Sequence, residues 1–294
     1  MSRELQDKAK ELLEKEEVAQ VIGYGAGTRR SRARPIFITS PEEASQLIWT
    51  PACVNNLAVY LTRKETKVPG RVAITAKGCD ARALFVLIQE KQIRREDLYI
   101  IGLACRGVLS KKALDQGKGD LDEETLSAKC KVCLVHTPVE FDFLVGEKID
   151  SPEPSSDPYE VIADLESRSP EERWEYWQGE LSRCIKCYAC RQACPLCYCN
   201  RCITEKSIPQ WIEKSPHARG NLAWNIIRAF HLTGRCVGCG ECERACPMDI
   251  PLMLLNQKMA REVKEQFGYV AGMNYQMEPA LATFDPKDHE DFIR

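Results

Sequence analysis

Apolar residues recur at helical spacing from the start of the chain. Leu5, Ala9, Leu12 and Leu13 fall on one side of residues 4–17, among charged neighbours, so an amphipathic helix is expected there. Residues 18–24 and 36–39 read as strands. Ser40-Pro41-Glu42-Glu43 combines a capping residue, Pro at the first helical position and Glu three residues after Ser. This combination predicts a helix start. A further helix is expected over 54–62, a strand over 71–76, a helix over 81–93 and a strand over 98–104. Strands separated by helices imply an α/β fold, with a mostly parallel sheet covered on both faces.

The pattern changes at 150–158, DSPEPSSDP, the best linker candidate. Ser169-Pro170-Glu171-Glu172 repeats the helix-start signature. The helix after it carries Trp174, Trp177 and Leu181 on one face and runs into a cysteine-rich block. Residues 221–232 form an amphipathic helical pattern, and 257–267 are helical before a polar tail. The expected division is 1–150 as an α/β domain, 151–180 as linker and helix, 181–260 as a mainly α-helical cysteine-rich domain, and 261–294 as a tail.

Composition narrows the function classes. With 44% hydrophobic residues in 294, the chain can bury a real core and is not disordered as a whole. Lys plus Arg is 41 against 43 Asp plus Glu, for a net charge of −2. That balance argues against nucleic-acid binding through a basic surface. No apolar run approaches the roughly 18 residues of a membrane helix, and the charged start is unlike a secretory signal. A cytoplasmic protein is expected. The outlier is cysteine, at 16 residues. Disulfide scaffolds are usually short and poor in core, so thiolates bound to metal in a reducing compartment are the better account.

Cys184, Cys187, Cys190, Cys194 and Pro195 form C-x2-C-x2-C-x3-C-P, and Cys236, Cys239, Cys242, Cys246 and Pro247 form it again. Three thiolates on a tight loop can reach three corners of a 4Fe-4S cubane, while the fourth Cys points at the other cluster. The expected ligand sets are therefore Cys184, Cys187, Cys190 and Cys246 for one cluster, and Cys236, Cys239, Cys242 and Cys194 for a second. A zinc ribbon needs four ligands per site in paired CxxC units, and explains the double repeat less well. The long spacer, with its helix, resembles the α-helical ferredoxin domain of fumarate reductase and heterodisulfide reductase subunits.

Five cysteines precede the linker. Cys79 follows one expected strand and Cys105 ends another, where open α/β sheets bind ligands. Cys130-x2-Cys133 completes a four-thiolate set for a third cluster. Buried apolar thiols are the plainer alternative for Cys79 and Cys105 taken singly.

AKGCDARAL, IGLAC and KCKVC, followed by VEFDFLVGE, resemble the deazaflavin-reducing hydrogenase and dehydrogenase beta-subunit family over residues 18–150. CDARAL is also similar to dicluster subunits of anaerobic sulfite reductase and sulfhydrogenase. The beta-subunit resemblance implies one 4Fe-4S cluster on these four cysteines beside a flavin, FAD. It also implies partner chains from a formate dehydrogenase, hydrogenase or heterodisulfide-reductase-like complex. The ferredoxin part is C-terminal here and N-terminal in the hydrogenase family.

Weaker signals remain. Cys197, Cys199 and Cys202, with Cys53, are either packing thiols or an extra metal site. The spacing of Cys190, Cys194 and Cys197 also matches a radical S-adenosylmethionine motif, but it overlaps the ferredoxin motif and no barrel-sized domain follows. Gly23-Tyr24-Gly25-Ala26-Gly27, followed by Arg29, Arg30, Arg32 and Arg34, is either a phosphate-cradling turn or a solvated basic loop. Asn55 and Asn56 could bond a flavin ring or cap a helix. His231 is expected to serve its helix dipole or to pack near a cluster.

The sequence thus reads as an iron–sulfur electron-transfer subunit working with catalytic and flavin subunits. The alternative is a flavin-binding subunit that itself oxidises or reduces NAD(P)H or a deazaflavin. Neither a nucleic-acid partner nor membrane insertion is expected.

Overall fold

A computed structural model describes residues 1–29, 31–151 and 159–280. Helix α1 (Ser2–Glu14) buries Leu5, Ala9, Leu12 and Leu13, the stripe its pattern marks. Strand β1 (Gln20–Ala26) turns into β2 (Ala33–Ile38), which pairs antiparallel with it, Val21 opposite Ile38 and Ala26 opposite Ala33. The glycine-rich stretch is therefore mostly strand, and no helix N-terminus follows it. Of the two readings of this stretch, the hairpin favours the basic loop.

Two expected helices are tighter and shorter. Pro41–Gln46 and Leu57–Thr62 are 3-10 turns. The Ser40 capping box forms, with the Thr39 and Ser40 amides donating to Glu43 Oε2 at 3.0 and 3.3 Å. The turn ends at Leu47, whose side chain is fully buried. A continued α-helix would have to carry Leu47 elsewhere.

Strand β3 (Val72–Ala76) pairs parallel with β1 and leads into α2 (Gly78–Gln89). The helix starts three residues before its expected boundary, because Asp80 Oδ2 accepts the Lys77 amide at 3.0 Å and caps the first turn. Strand β4 (Leu98–Leu103) lies parallel to β3. Short helices α3 (Lys111–Asp115) and α4 (Ala128–Lys131) fill the connection to β5 (Phe143–Val145), parallel to β4. The sheet order is β2-β1-β3-β4-β5, with β2 alone antiparallel among the described strands. Six successive β1 residues are buried, so both faces of the sheet are covered.

The second half is helical: α5 (Glu160–Glu166), α6 (Pro170–Ser182), α7 (Ala189–Ala193), α8 (Ala218–His231), α9 (Glu241–Arg244) and α10 (Leu252–Phe267). The capping box at the start of α6 forms between Ser169 and Glu172. Trp177 and Leu181 pack inward, but Trp174 is half exposed, which corrects the three-residue face expected for this helix. Most of the expected linker and residues 281–294 lie outside the described residues.

The two halves share one core. Cys194, Leu196, Leu232, Val237, Cys239 and Tyr269 pack into the cluster built on the sheet. Arg82 on α2 donates to the Ala271 carbonyl from Nε and Nη2 at 3.1 and 2.8 Å, tying the segment after α10 to the sheet domain. A separate core joins Leu181, Cys190, Trp224, Cys242, Cys246, Ile250 and Leu252. Among the described residues, no helix is long and apolar enough to cross a membrane.

Candidate metal centres

At the carboxyl end of β3 the chain turns through Lys77 and Gly78 so that Cys79 opens α2. A Cβ on Gly78 would lie 1.9 Å from the Val135 carbonyl oxygen. Only glycine lets the segment after Cys133 cross there, beside Cys79. Cys105 sits two residues past β4, its amide donating to the His136 carbonyl at 2.8 Å. Gly107, at φ 125°, redirects the chain next to Cys130. Cys130 lies in α4, and Cys133 Sγ approaches the Val135 carbonyl at 3.4 Å.

Cys79, Cys130 and Cys133 line a cavity of about 110 Å³, and Cys236 of the second cysteine motif lines it too. Cys105 is not on that wall but neighbours Cys130 and Cys133. Burial pushes the Cys79 and Cys133 thiols up, and the Cys105 thiol up to about 12. Such groups hold a negative charge only if cations lie close.

Those cations are present. Lys77 is 1% exposed, and its Nζ donates to Asp80 Oδ2 at 2.7 Å, to the Asn55 carbonyl at 2.8 Å and to the Tyr24 hydroxyl. It lies near Cys79 and Cys105. Lys129 Nζ donates to the Cys239 carbonyl at 2.5 Å and interacts with Cys79. Neither lysine was singled out by sequence reasoning. The signal was there for Lys77, which stands three residues before Asp80 with Cys79 between them.

The two C-x2-C-x2-C motifs repeat in backbone as well as in sequence. Lys186 and Tyr188 have φ of 52° and 58°, and Gly238 and Gly240, at the matching positions, have 70° and 69°. Each loop therefore curls left-handedly before a short helix, α7 or α9, and the two helices pack together. Cys194 of the first motif interacts with Cys236, Cys239 and Cys242 of the second. Cys190 interacts with Cys184 and with Cys246 of the second motif. Cys187 is exposed. Asn221 on α8 donates to the Cys184 carbonyl at 2.7 Å, and Asn256 on α10 reaches Cys242 Sγ at 3.5 Å.

The remaining cysteines divide. Cys197, Cys199 and Cys202 line a cavity of about 60 Å³ with Arg228 and His231. His231, the last residue of α8, is exposed. Cys53 is apart from them, fully buried in the sheet core and accepting the Thr50 amide at 3.4 Å. Cys53 thus lies in the sheet core and does not line the cavity that the other three share. Asn55 and Asn56 line a cavity of about 300 Å³ with Tyr60, Arg63 and Arg244. The Asn56 amide is committed, accepting from the Ala58 amide at 3.1 Å and donating to the Cys79 carbonyl at 3.2 Å. Arg29 is exposed at the tip of the β1–β2 hairpin and does not line that cavity. Arg30 lies outside the described residues.

Among the described residues, no three His, Cys, Asp or Glu side chains close round a single metal ion. Iron–sulfur clusters fit the donor set. The donors are cysteines, the buried cations Lys77 and Arg228 lie near them, and the buried donor Arg228 Nε, beside the dicluster motifs, lacks a partner.

Residues 158–251 match the family described as a 4Fe-4S dicluster domain. The F420-dependent formate dehydrogenase subunit beta of Methanocaldococcus jannaschii is 27% identical, with 92% of this chain and 91% of that protein covered. The F420-dependent formate dehydrogenase 1 subunit beta of Methanococcus maripaludis is 23% identical over the same shares. The F420-reducing [NiFe] hydrogenase complex of Methanosarcina barkeri aligns at 17% identity and a TM-score of 0.37, over 45% of this chain and 58% of that one. The chain is homologous, along most of its length, to the beta subunits of F420-dependent formate dehydrogenases, and its second half carries a 4Fe-4S dicluster domain.

Proposed function

We propose that this chain is an iron–sulfur electron-transfer subunit of a cytoplasmic, multisubunit oxidoreductase, relaying single electrons between a partner's catalytic or flavin site and an acceptor. The crossed approach of the two motifs carries this reading. Cys194 of the first shares a buried cluster with Cys239, against which Cys236 packs. Cys246 of the second shares another with Cys190, against which Cys184 packs, and Cys242 lies in that second cluster too. In this reading Cys184, Cys187, Cys190 and Cys246 hold one cluster, and Cys236, Cys239, Cys242 and Cys194 a second. Cys79, Cys105, Cys130 and Cys133 hold a third. Bound clusters supply one-electron redox chemistry.

The protein's own contribution is spacing, burial and charge. Cys236 shares a cavity with Cys79, Cys130 and Cys133, so the third cluster adjoins the second. The exposed Cys187 leaves the first nearest the surface, where a partner exchanges electrons. Lys129, near Cys79, Cys130 and Cys239, offsets the charge of the thiolates, while Lys77 is paired with Asp80. The names of the relatives favour a formate dehydrogenase complex, with a separate formate-oxidising catalytic subunit, over a hydrogenase or a heterodisulfide-reductase-like assembly. Their F420 dependence favours a second reading, in which this chain holds FAD and itself exchanges hydride with a deazaflavin.

The deciding experiment is iron, acid-labile sulfide, zinc and released flavin per chain on anaerobically purified protein. About 12 iron and 12 sulfide support three cubanes, and about 8 remove the N-terminal cluster. Zinc in place of iron overturns the reading. Stoichiometric flavin moves the chain from electron wire to the place where electron pairs are split.

A further inference from the structure

Arg228 lies on α8, in the spacer between the two cysteine motifs, and is 5% exposed. Its Nη2 donates to the Cys190 carbonyl at 3.2 Å, inside the first motif. Its Nε is buried and has no hydrogen-bond partner. Thiols of both motifs lie near it, Cys190 and Cys194 of the first and Cys242 of the second, together with Cys197 just past the first motif. Cys190 and Cys242 share one buried core with Trp224 of the same helix. Neighbouring arginines are neutralised, Arg191 by Glu205 and Arg235 by Glu90. Among the described residues, Arg228 pairs with no carboxylate.

A guanidinium is not deprotonated in a protein, and a buried one without a counter-charge is costly. The counter-charge available here is the thiolates. A thiolate-ligated cubane carries net negative charge, and reduction adds one more. A cation fixed between two such groups favours the reduced state of both.

We propose that Arg228 is a shared counter-cation of the two dicluster centres, raising the reduction potential of each. The proposal rests on the electron-transfer reading above. Its unpaired Nε donor serves the sulfur side, while Nη2 is anchored on the Cys190 carbonyl. The third cluster, on Cys79, Cys105, Cys130 and Cys133, is outside its contacts and stays unaffected.

The test is an anaerobic redox titration of the full-length protein, followed by electron paramagnetic resonance, with iron counted per chain. Arg228→Met is expected to lower the reduction equilibrium constant of both dicluster centres about tenfold each, 59 mV for one electron. Arg228→Lys is expected to hold both within about threefold of the parent, and the N-terminal centre is expected not to move in either variant. Full iron with unchanged potentials in Arg228→Met overturns the proposal and leaves the electron-transfer reading intact. So does a shift confined to one centre. A parent protein that binds no iron overturns the reading itself. If Arg228→Met and Arg228→Gln both fail to load the dicluster while Arg228→Lys loads it, the requirement for charge is read in the iron content. If Arg228→Lys also fails, shape and not charge is required, and the proposal falls.

Discussion

Arg235 clasps Glu90 across the two halves of the molecule, Nε to Oε1 at 2.8 Å and Nη2 to Oε2 at 2.9 Å. Glu90 caps the C-terminus of α2, where a carboxylate opposes the helix dipole. Arg235 immediately precedes Cys236. The Tyr198 hydroxyl, between Cys197 and Cys199, donates to the same carboxylate at 2.9 Å. One residue of the sheet domain therefore fixes both ends of the spacer that separates the motifs.

Replacing Glu90 with Ala is expected to cost about 1–2 kcal/mol, more than an ordinary surface pair because the contact is bidentate and partly buried. The melting temperature of anaerobic protein checks this. Glu90→Ala and Arg235→Ala are expected to be non-additive, since each removes the same contact. Additive losses would mean the clasp contributes little.

Cysteines of one chain are expected to respond differently to substitution. Cys79→Ser should remove about four iron atoms per chain and leave the dicluster signals in place. Cys53→Ala should leave the iron content unchanged and cost about 1 kcal/mol, since it removes a small packed group. Iron and sulfide analysis of the two variants side by side makes the distinction. Iron lost from Cys53→Ala would put that residue back among the ligands.

Lys77 and Asp80 are almost wholly buried together, 1% and fully inaccessible, with Tyr24 beside them. Burial pushes the Asp80 carboxyl up, and the Lys77 ammonium and amide beside it oppose that shift; Asp80 in turn holds Lys77 protonated. Lys77→Met leaves a buried carboxylate alone and is expected to cost about 3–5 kcal/mol. Lys77→Met with Asp80→Leu is expected to recover part of the loss, although the Lys77 amide then loses its cap. Denaturant unfolding of both variants measures the difference. A double variant less stable than the single one would contradict the charge argument.

The cysteine spacing was legible because cluster ligation is local. Three thiolates on one loop leave their period in the sequence, and Pro195 and Pro247 mark where each loop ends. The sheet was legible because β1, β3 and β4 are buried on both faces and read as unbroken apolar runs. What was missed depends on tertiary contact. The residues at 41–46 and 57–62 carry helix signals, yet their neighbours are drawn into the core within two turns. Lys77 and Arg228 look like ordinary surface cations until the fold buries them near thiols, and Lys129 until the fold brings it beside Cys79 and Cys239. Whether Cys53 belongs with Cys197, Cys199 and Cys202 stays open in the sequence, because counting cysteines carries no distance.

The core of the second half suggests how it responds to loss of metal. Of its seven buried members, Cys190, Cys242 and Cys246 are cysteines, and Leu181, Trp224, Ile250 and Leu252 close around them. Little apolar packing remains if the thiols lose a common partner. The sheet domain differs, since Leu5, Leu12, Ile22, Ile74, Phe85 and Leu87 form its core without metal. Metal binding that organises so small a core is also folding free energy. Iron removal by a chelator is therefore expected to expose residues 184–250 to protease first. Residues 1–103, whose core needs no metal, and the segment at 269–277, held to α2 by Arg82 and Gln89, should stay protected, while the loop carrying Cys105, Cys130 and Cys133 opens with the third cluster. Far-ultraviolet circular dichroism should lose helical signal from α6 to α9 and keep the sheet contribution. Equal protection of 184–250 with and without iron would mean that the helices pack on their own and that the metal serves redox chemistry alone.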